Sequence, residues 1–456
     1  MRCASKRLLA SIAAGVLCLP SVSLATNGYF LIGYGTKSRS VGGAGVAFPQ
    51  DSLAAGSNPA GMAHVGTRFD VGADLFNPPR RVAAENGIFN FETKGSAESG
   101  SNLFLIPNMG GNYQFNRKMS VGMSVIGNGA NTRYDQNFFD VLAKDRHTTL
   151  GVNLISMQML PTLSYKLSKT HSVGASLALG IQTFRAYGLQ DFTINEFQFS
   201  SDFDNLTDRG NDWSYGAGIR VGWMGHFFDK RLSLGVNYAS RMFMTKFDKY
   251  KGLFANEGEF DIPEHYALGA ALKLHPKLTI LGDVQWINYS DIGGVGNDHP
   301  NTTILDVCTR PIGLDPSMCD PARTIPPEQK KNALGGSESW GFGWDDALVY
   351  KLGAVYEHND RWTFRAGLNY GDSVIPDNKL LFNMLAPAVI EWHATVGFTY
   401  NLSPNSELSM SYVHGFERSQ TCDAPDCVTM LTQGDNAYVA VEMEIRALGI
   451  SYAFHF

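Results

Sequence analysis

The exported part of this chain has no uninterrupted run of about 18 apolar residues, so it does not cross a membrane as a helix. It also lacks a Gly-x-Ser-x-Gly elbow, a P-loop, a dinucleotide fingerprint and a His-Glu-x-x-His pair. Those absences remove the commonest hydrolase, nucleotide and zinc chemistries, and no enzyme activity, cofactor or metal is expected. Charge is sparse at 18% of residues, and the basic residues form no stripe for nucleic acid. Cysteine is scarce too: six residues, of which Cys3 and Cys18 lie in the N-terminal leader.

That leader is the first thing present. Arg2, Lys6 and Arg7 precede a short apolar core, Leu8 to Leu19, and Ser23-Leu24-Ala25 supplies small residues for cleavage. Residues 1–25 read as a secretory signal peptide, with the mature chain starting at Thr26. Leu17 stands before Cys18 where a lipoprotein signal needs a small residue, so no lipid anchor is expected. The leader holds three of the 37 Lys and Arg and none of the 43 Asp and Glu, leaving the exported chain at −9. The remaining cysteines form two local couples, Cys308 with Cys319 and Cys422 with Cys427. Neither has His or further Cys at ligand spacing, and an exported chain meets an oxidising compartment, so disulfides are the better reading.

What fills the chain is alternation. At the C-terminus Leu448, Ile450, Tyr452, Phe454 and Phe456 alternate with Gly449, Ser451, Ala453 and His455. Period two means one apolar and one small or polar face. An aromatic last residue on such a strand is typical of bacterial barrels, which are delivered to the barrel-assembly machinery through that strand. From residue 67 the same unit recurs: strand, tight turn, strand, long polar loop. Fourteen strands are expected, with tight turns at Asn116-Arg117, Ser168-Lys169, Asp229-Lys230, His275-Pro276, Asn359-Asp360 and Ser403-Pro404. Both cysteine couples fall in long loops. Aromatic residues gather near strand ends, Trp213, Tyr215, Trp223, Tyr238, Trp286, Tyr289, Trp362, Tyr370, Trp392 and Tyr400 among them, as an interfacial girdle requires. Residues 67–456 are therefore expected to form an all-β, 14-stranded antiparallel transmembrane barrel in the bacterial outer membrane, surrounded by its lipid. Residues 26–66 do not alternate; they are Gly- and Ala-rich yet too apolar for a tail, which suits a hatch filling the lumen. Glu442, Glu444 and Arg446 share parity with lipid-facing Leu448, which predicts a register change in the last strand.

Gly35, Arg39, Gly42, Ala44, Ala47, Asp51 and Ala54, followed by Asn58-Pro59-Ala60-Gly61-Met62, form a pattern just before the first strand. This run resembles the FadL/TodX family of outer-membrane transporters for long-chain fatty acids and other hydrophobic compounds. The resemblance implies a monomer with an N-terminal hatch and passive uptake. Thr26, Asn27, Gly28, Tyr29 and Phe30 would line a substrate pocket, and a kink in the third strand would open the wall sideways beside Asn58, Pro59 and Ala60. Gly127 and Gly129 fit such a kink, or simply begin the following loop.

A fatty acid carboxylate needs a cation. Arg220 and Arg365 lie on the small-residue face of their strands, with Lys273 and Arg446 further candidates. Arg185 sits where the family places a headgroup arginine, although strict alternation turns it outward. For each, a lumen ion pair with an acid such as Glu391 or Asp283 is the simpler reading. Uptake of aromatic or aliphatic hydrocarbons is the alternative function. A hydrolase would need a nucleophile that the sequence does not offer, and a general porin an open lumen.

Overall fold

The computed structural model describes residues 27–85, 94–139, 149–193, 199–298, 331–423 and 438–456. Seventeen strand segments form one sheet whose first and last members pair. Three strands are interrupted, so the wall has 14 antiparallel staves and closes on itself. β1 runs Arg68–Asn77 and resumes as Arg80–Glu85 after Pro78-Pro79; β2 comprises Lys94–Glu98 and Phe104–Gln114. β3 (Met119–Asn131), β4 (Gly151–Lys166), β5 (His171–Tyr187) and β6 (Asp212–Phe227) follow. β7 comprises Leu232–Ala239 and Phe243–Met244. β8 (His265–His275), β9 (Leu278–Ile287), β10 (Ala347–Glu357) and β11 (Trp362–Gly371) come next. β12 (Trp392–Ser403), β13 (Ser406–Asp423) and β14 (Tyr438–His455) complete the ring.

Alternation produces this wall directly. On β1, Phe69, Val71 and Leu75 face out while Arg68, Asp70 and Asp74 are buried inside. Turn chemistry sets the short ends: Asn116 Oδ1 accepts from the backbone of Lys118 and Met119, and Asn359 Oδ1 from Arg361 and Trp362. Aromatic side chains band the outside of β7 to β12 at two levels. Tyr238, Tyr266 and Trp286 stack in sequence across β7 to β9, and Tyr350, Tyr370 and Trp392 across β10 to β12. Trp362, Phe398 and Tyr400 form the other belt. Trp362 to Tyr370 inclusive spans nine residues of one strand, about the length a tilted strand needs to cross the apolar layer. Tyr289 is the exception among the expected girdle residues: it is fully buried in the interior.

The expected register change in the last strand is not there. β14 keeps one pairing with β1 from Arg68↔His455 to Asn77↔Arg446. The irregularity lies on β13, between Gly415 and Arg418. Glu442, Glu444 and Arg446 keep the outward parity on the upper part of an 18-residue strand, where Arg446 grips Glu444 through bonds of 2.7 and 2.6 Å.

Residues 27–66 fill the lumen as turns and short helices, including α1 (Thr36–Arg39) and the 3-10 helix Pro59–His64. Small wall residues make the room. A Cβ at Gly367 of β11 would stand 2.2 Å from the Val41 carbonyl carbon, and one at Gly222 of β6 would stand 2.0 Å from Asn58 Oδ1. Gly367→Ala is therefore expected to unseat the Val41 turn while leaving the wall closed. Proteolysis within residues 27–66 should rise several-fold over the parent with unchanged heat-modifiable migration; equal protection would refute the close fit.

Candidate functional site

The hatch begins with a tight turn. Asn27 N donates to Phe30 O at 3.0 Å, and Gly28 at the corner has φ +69°. A side chain there would meet the Tyr289 ring at 2.6 Å, so glycine is needed for both conformation and space. Tyr289 holds the turn by donating its hydroxyl to Asn27 O at 2.6 Å. The turn presents Tyr29 and Phe30 to an aromatic cluster: Tyr29 lies 5.4 Å from Tyr289, 6.1 Å from Phe260 and 6.2 Å from Trp344 between ring centres. All five of these aromatic side chains are buried.

Above the cluster lies a small apolar cavity of about 40 Å³, lined by Phe184, Phe192, Phe254, Trp340, Phe342 and Phe382 among others. Phe254 and Phe260, 4.9 Å apart, join the cavity to Tyr29. A continuous aromatic lining thus runs from beneath the outer loops to the hatch N-terminus. The sequence signal for its upper part is Trp340-Gly341-Phe342-Gly343-Trp344, an aromatic run inside what otherwise reads as a polar loop.

The lining ends on polar groups. Phe30 packs edge-on to His265 at 5.6 Å, and the His265 ring lies 3.4 Å from Arg220. Arg220 is 2% exposed and donates to Gly56 O and Gln158 Oε1, both at 2.8 Å. The Tyr34 hydroxyl is also within its reach. No carboxylate pairs with Arg220 among the described residues, and its Nε has no partner. The adjacent crevice, about 20 Å³, is lined by Tyr34, His265, Asp283, Gln285 and Lys351. Lys351 donates to Gln285 Oε1 at 2.8 Å and Ile32 O at 3.1 Å.

The acids offered as lumen partners are engaged elsewhere. Asp283 accepts from the backbone of Gly45 and Val46 at 2.7 and 3.0 Å, and Glu391 pairs with Arg418. Arg365 donates to Gln50 Oε1 at 2.7 Å and Thr399 Oγ1 at 2.8 Å, low in the barrel and away from the aromatic lining. Regular pairing continues through Arg185, opposite Asn153, so its side chain keeps the outward parity and stacks 4.7 Å over Tyr187. Lys273 is exposed. Of the four candidates and Arg185, the structure brings only Arg220 to the end of the aromatic run. Tyr34, Gln158, Phe260 and Lys351 were not singled out by sequence; inward parity marks Gln158 and Lys351, and nothing in the sequence marks the others.

The wall beside this site is incomplete. β2 and β3 pair only from Met109↔Val125 to Gln114↔Ser120, whereas β3 stays paired with β4 as far as Asn131. The free edge of β3 turns to the hatch: Gly129 N donates to Tyr29 O at 3.3 Å, and Asn128 Oδ1 accepts from Leu31 N at 3.2 Å. Gly127 and Gly129 thus lie on a paired strand and not at the start of a loop. Asn58-Pro59-Ala60 is placed elsewhere. Asn58 caps its 3-10 helix by accepting from Ala60 N at 3.0 Å and donates to Val46 O and Trp223 O. Pro59 fills the space at Gly174 of β5. The motif fixes the hatch to β5 and β6 and does not meet Gly127 or Gly129.

A buried ionic latch holds the other side of the hatch. Lys37 and Arg39 of α1 pair with Glu407 of β13 and Asp74 of β1. Arg68 bridges Asp70 and Glu407, each at 2.5 Å. Nearby, burial and the Asp70 charge push the Asp51 carboxyl up to about 6, and burial lowers Lys37. Thr26, the leader, Cys308, Cys319 and Cys427 lie outside the described residues; Cys422 is disulfide-bonded.

Fold and site together define a hatch-filled outer-membrane barrel with an internal apolar pocket. The family described as "Outer membrane protein transport protein (OMPP1/FadL/TodX)" matches residues 32–456. The chain belongs to that family. It is 32% identical over 75 residues to the long-chain fatty acid transport protein of Escherichia coli strain K12, a match spanning 16% of each chain. Matched segments thus cover about a sixth of the curated relatives' length. It shares its fold with the toluene transporter TodX of Pseudomonas putida (TM-score 0.62, 17% identity, 94% of this chain and 99% of the other). The same holds for a Pseudomonas aeruginosa FadL homologue (TM-score 0.64, 15% identity, 94% and 99%).

Proposed function

We propose that this protein takes up hydrophobic compounds across the outer membrane by passive passage, with long-chain fatty acids as its main substrates. The observation that carries this reading is the aromatic lining that ends at Arg220, a buried cation without an acid partner. An alkyl chain in the lining escapes water at about 0.8 kcal/mol per CH₂. Its carboxylate would meet the guanidinium, which is pre-formed for two-point contact with a planar anion. Asn27, Gly28, Tyr29 and Phe30 form the pocket wall, with Thr26 preceding them. Release runs sideways through the unpaired stretch between β2 and β3, past Gly127 and Gly129. Tyr29 belongs to the pocket and bonds Gly129, so substrate that displaces the turn also frees the edge of β3.

The hatch obstructs a continuous water path, and the protein works as a monomeric channel and not as an enzyme. Its surroundings are outer-membrane lipid, and β14 is the strand offered to the assembly machinery. Uptake of aromatic hydrocarbons is the second reading, favoured by the density of aromatic side chains around the upper cavity and by fold relatives named as toluene transporters. Binding of oleate and of toluene to the purified protein separates the two. Oleate should bind at least about tenfold more tightly, a difference of ~1.4 kcal/mol; toluene binding without oleate would reverse the order of the readings.

A further inference from the structure

We propose that the periplasmic foot of β3 to β7 is a binding site for an anionic phospholipid of the inner leaflet. Three consecutive short turns, 116–118, 167–170 and 228–231, enclose an open cleft of about 840 Å³. Arg117, Lys118, Lys166, Lys169 and Lys230 line it, against a single acid, Asp229. None of the five cations has a carboxylate within ion-pair distance among the described residues. The turns are tied together: Lys166 N donates to Lys118 O at 2.7 Å, and His226 N to Thr170 O at 2.8 Å. The cations are therefore held at one place instead of spreading apart to relieve their repulsion.

The rim facing the membrane is apolar. Phe228 and Leu167 line the cleft and are 76% and 55% exposed, and Phe115 and Tyr165 are exposed on the adjoining outer wall. A cluster of like charge at the membrane surface, bordered by large apolar side chains, matches one kind of ligand: a phosphate headgroup carrying acyl chains. A free phosphate has no use for the apolar rim. Elsewhere on the foot the signs are mixed, with Glu357 and Asp360 near Arg361, and Lys277 donates to His358 O at 2.7 Å. The cluster escapes a linear reading because each turn contributes only one or two of its cations.

The test is native mass spectrometry of the detergent-purified whole protein with phosphatidylglycerol and phosphatidylethanolamine. The parent should retain phosphatidylglycerol about tenfold better. Lys118→Gln/Lys166→Gln/Lys169→Gln/Lys230→Gln should abolish that preference, whereas Lys277→Gln/Arg361→Gln, further round the foot, should keep it. If the quadruple variant does not fold, Lys169→Gln/Lys230→Gln, on exposed turns, should still lower the preference about threefold. Equal retention of the two lipids by the parent would overturn the proposal, as would equal loss in the distal variant. Displacement of the lipid by inorganic phosphate at matched ionic strength would also overturn it, in favour of a free-anion site.

Discussion

Arg220→Gln should weaken oleate binding by about 10- to 100-fold and leave toluene binding within about twofold, because a charge-assisted hydrogen bond contributes roughly 1.5–3 kcal/mol. The asymmetry between ligands is what the geometry requires. Toluene needs only the aromatic lining, whereas oleate needs the cation at its end. Glutamine still reaches part of the way towards Gly56 O and Gln158 but carries no charge, so the local packing is disturbed less than by alanine. Arg220→Lys keeps the charge and loses the planar fork, and should fall between parent and glutamine variant. Titration of both ligands by tryptophan fluorescence measures the split, since Trp344 lies against Tyr29. Parallel loss of both ligands would mean a structural role for Arg220, and unchanged oleate binding would remove the headgroup assignment altogether.

Glu407→Gln should loosen the hatch and turn a closed barrel into a conducting one. The carboxylate of Glu407 faces Lys37 and Arg68 at once, with little solvent to share the charge. Removing one partner of a buried pair costs about 3–5 kcal/mol, chiefly through the uncompensated charge that stays behind. Arg68 keeps Asp70, so the stranded group is Lys37, and Lys37 belongs to the hatch. The strain is thus relieved by moving the hatch and not by opening the wall. Planar-bilayer recordings should show steady conductance several-fold above the parent. Adding Lys37→Met to Glu407→Gln should bring it back down, because no charge is then left unpaired. A double variant as leaky as the single would show that the ion pair is not what seats the hatch.

The barrel could be read from sequence because lipid and lumen impose opposite demands on neighbouring residues, and the turns carry side chains that close them, such as Asn116 and Asn359. The lumen-filling segment was legible as well, from apolar content without period. The fate of individual lumen charges was not. Asp283 looks like a counter-ion by parity but is consumed by two hatch amides, and Glu391 by Arg418. Which cation is left over depends on how the hatch folds against the wall, and that is a property of packing between segments hundreds of residues apart. Tyr289 misled for a related reason. A tyrosine just beyond a strand end serves equally well in an interfacial belt or inside, and only the Asn27 turn decides between them. Arg185 followed alternation, which outweighed the position suggested by resemblance.

The seam where β1 meets β14 has an additional bearing on biogenesis. α1 is fastened to Asp74, on the first strand, and to Glu407, on the strand before the last. Those two carboxylates come to flank β14, where one short helix can reach both, only when the ring has shut. A slip of one residue at the seam would turn one partner's side chains over, sending Asp74 or the lumen face of β14 towards lipid. A barrel shut out of phase would therefore have no complete latch for the hatch to engage.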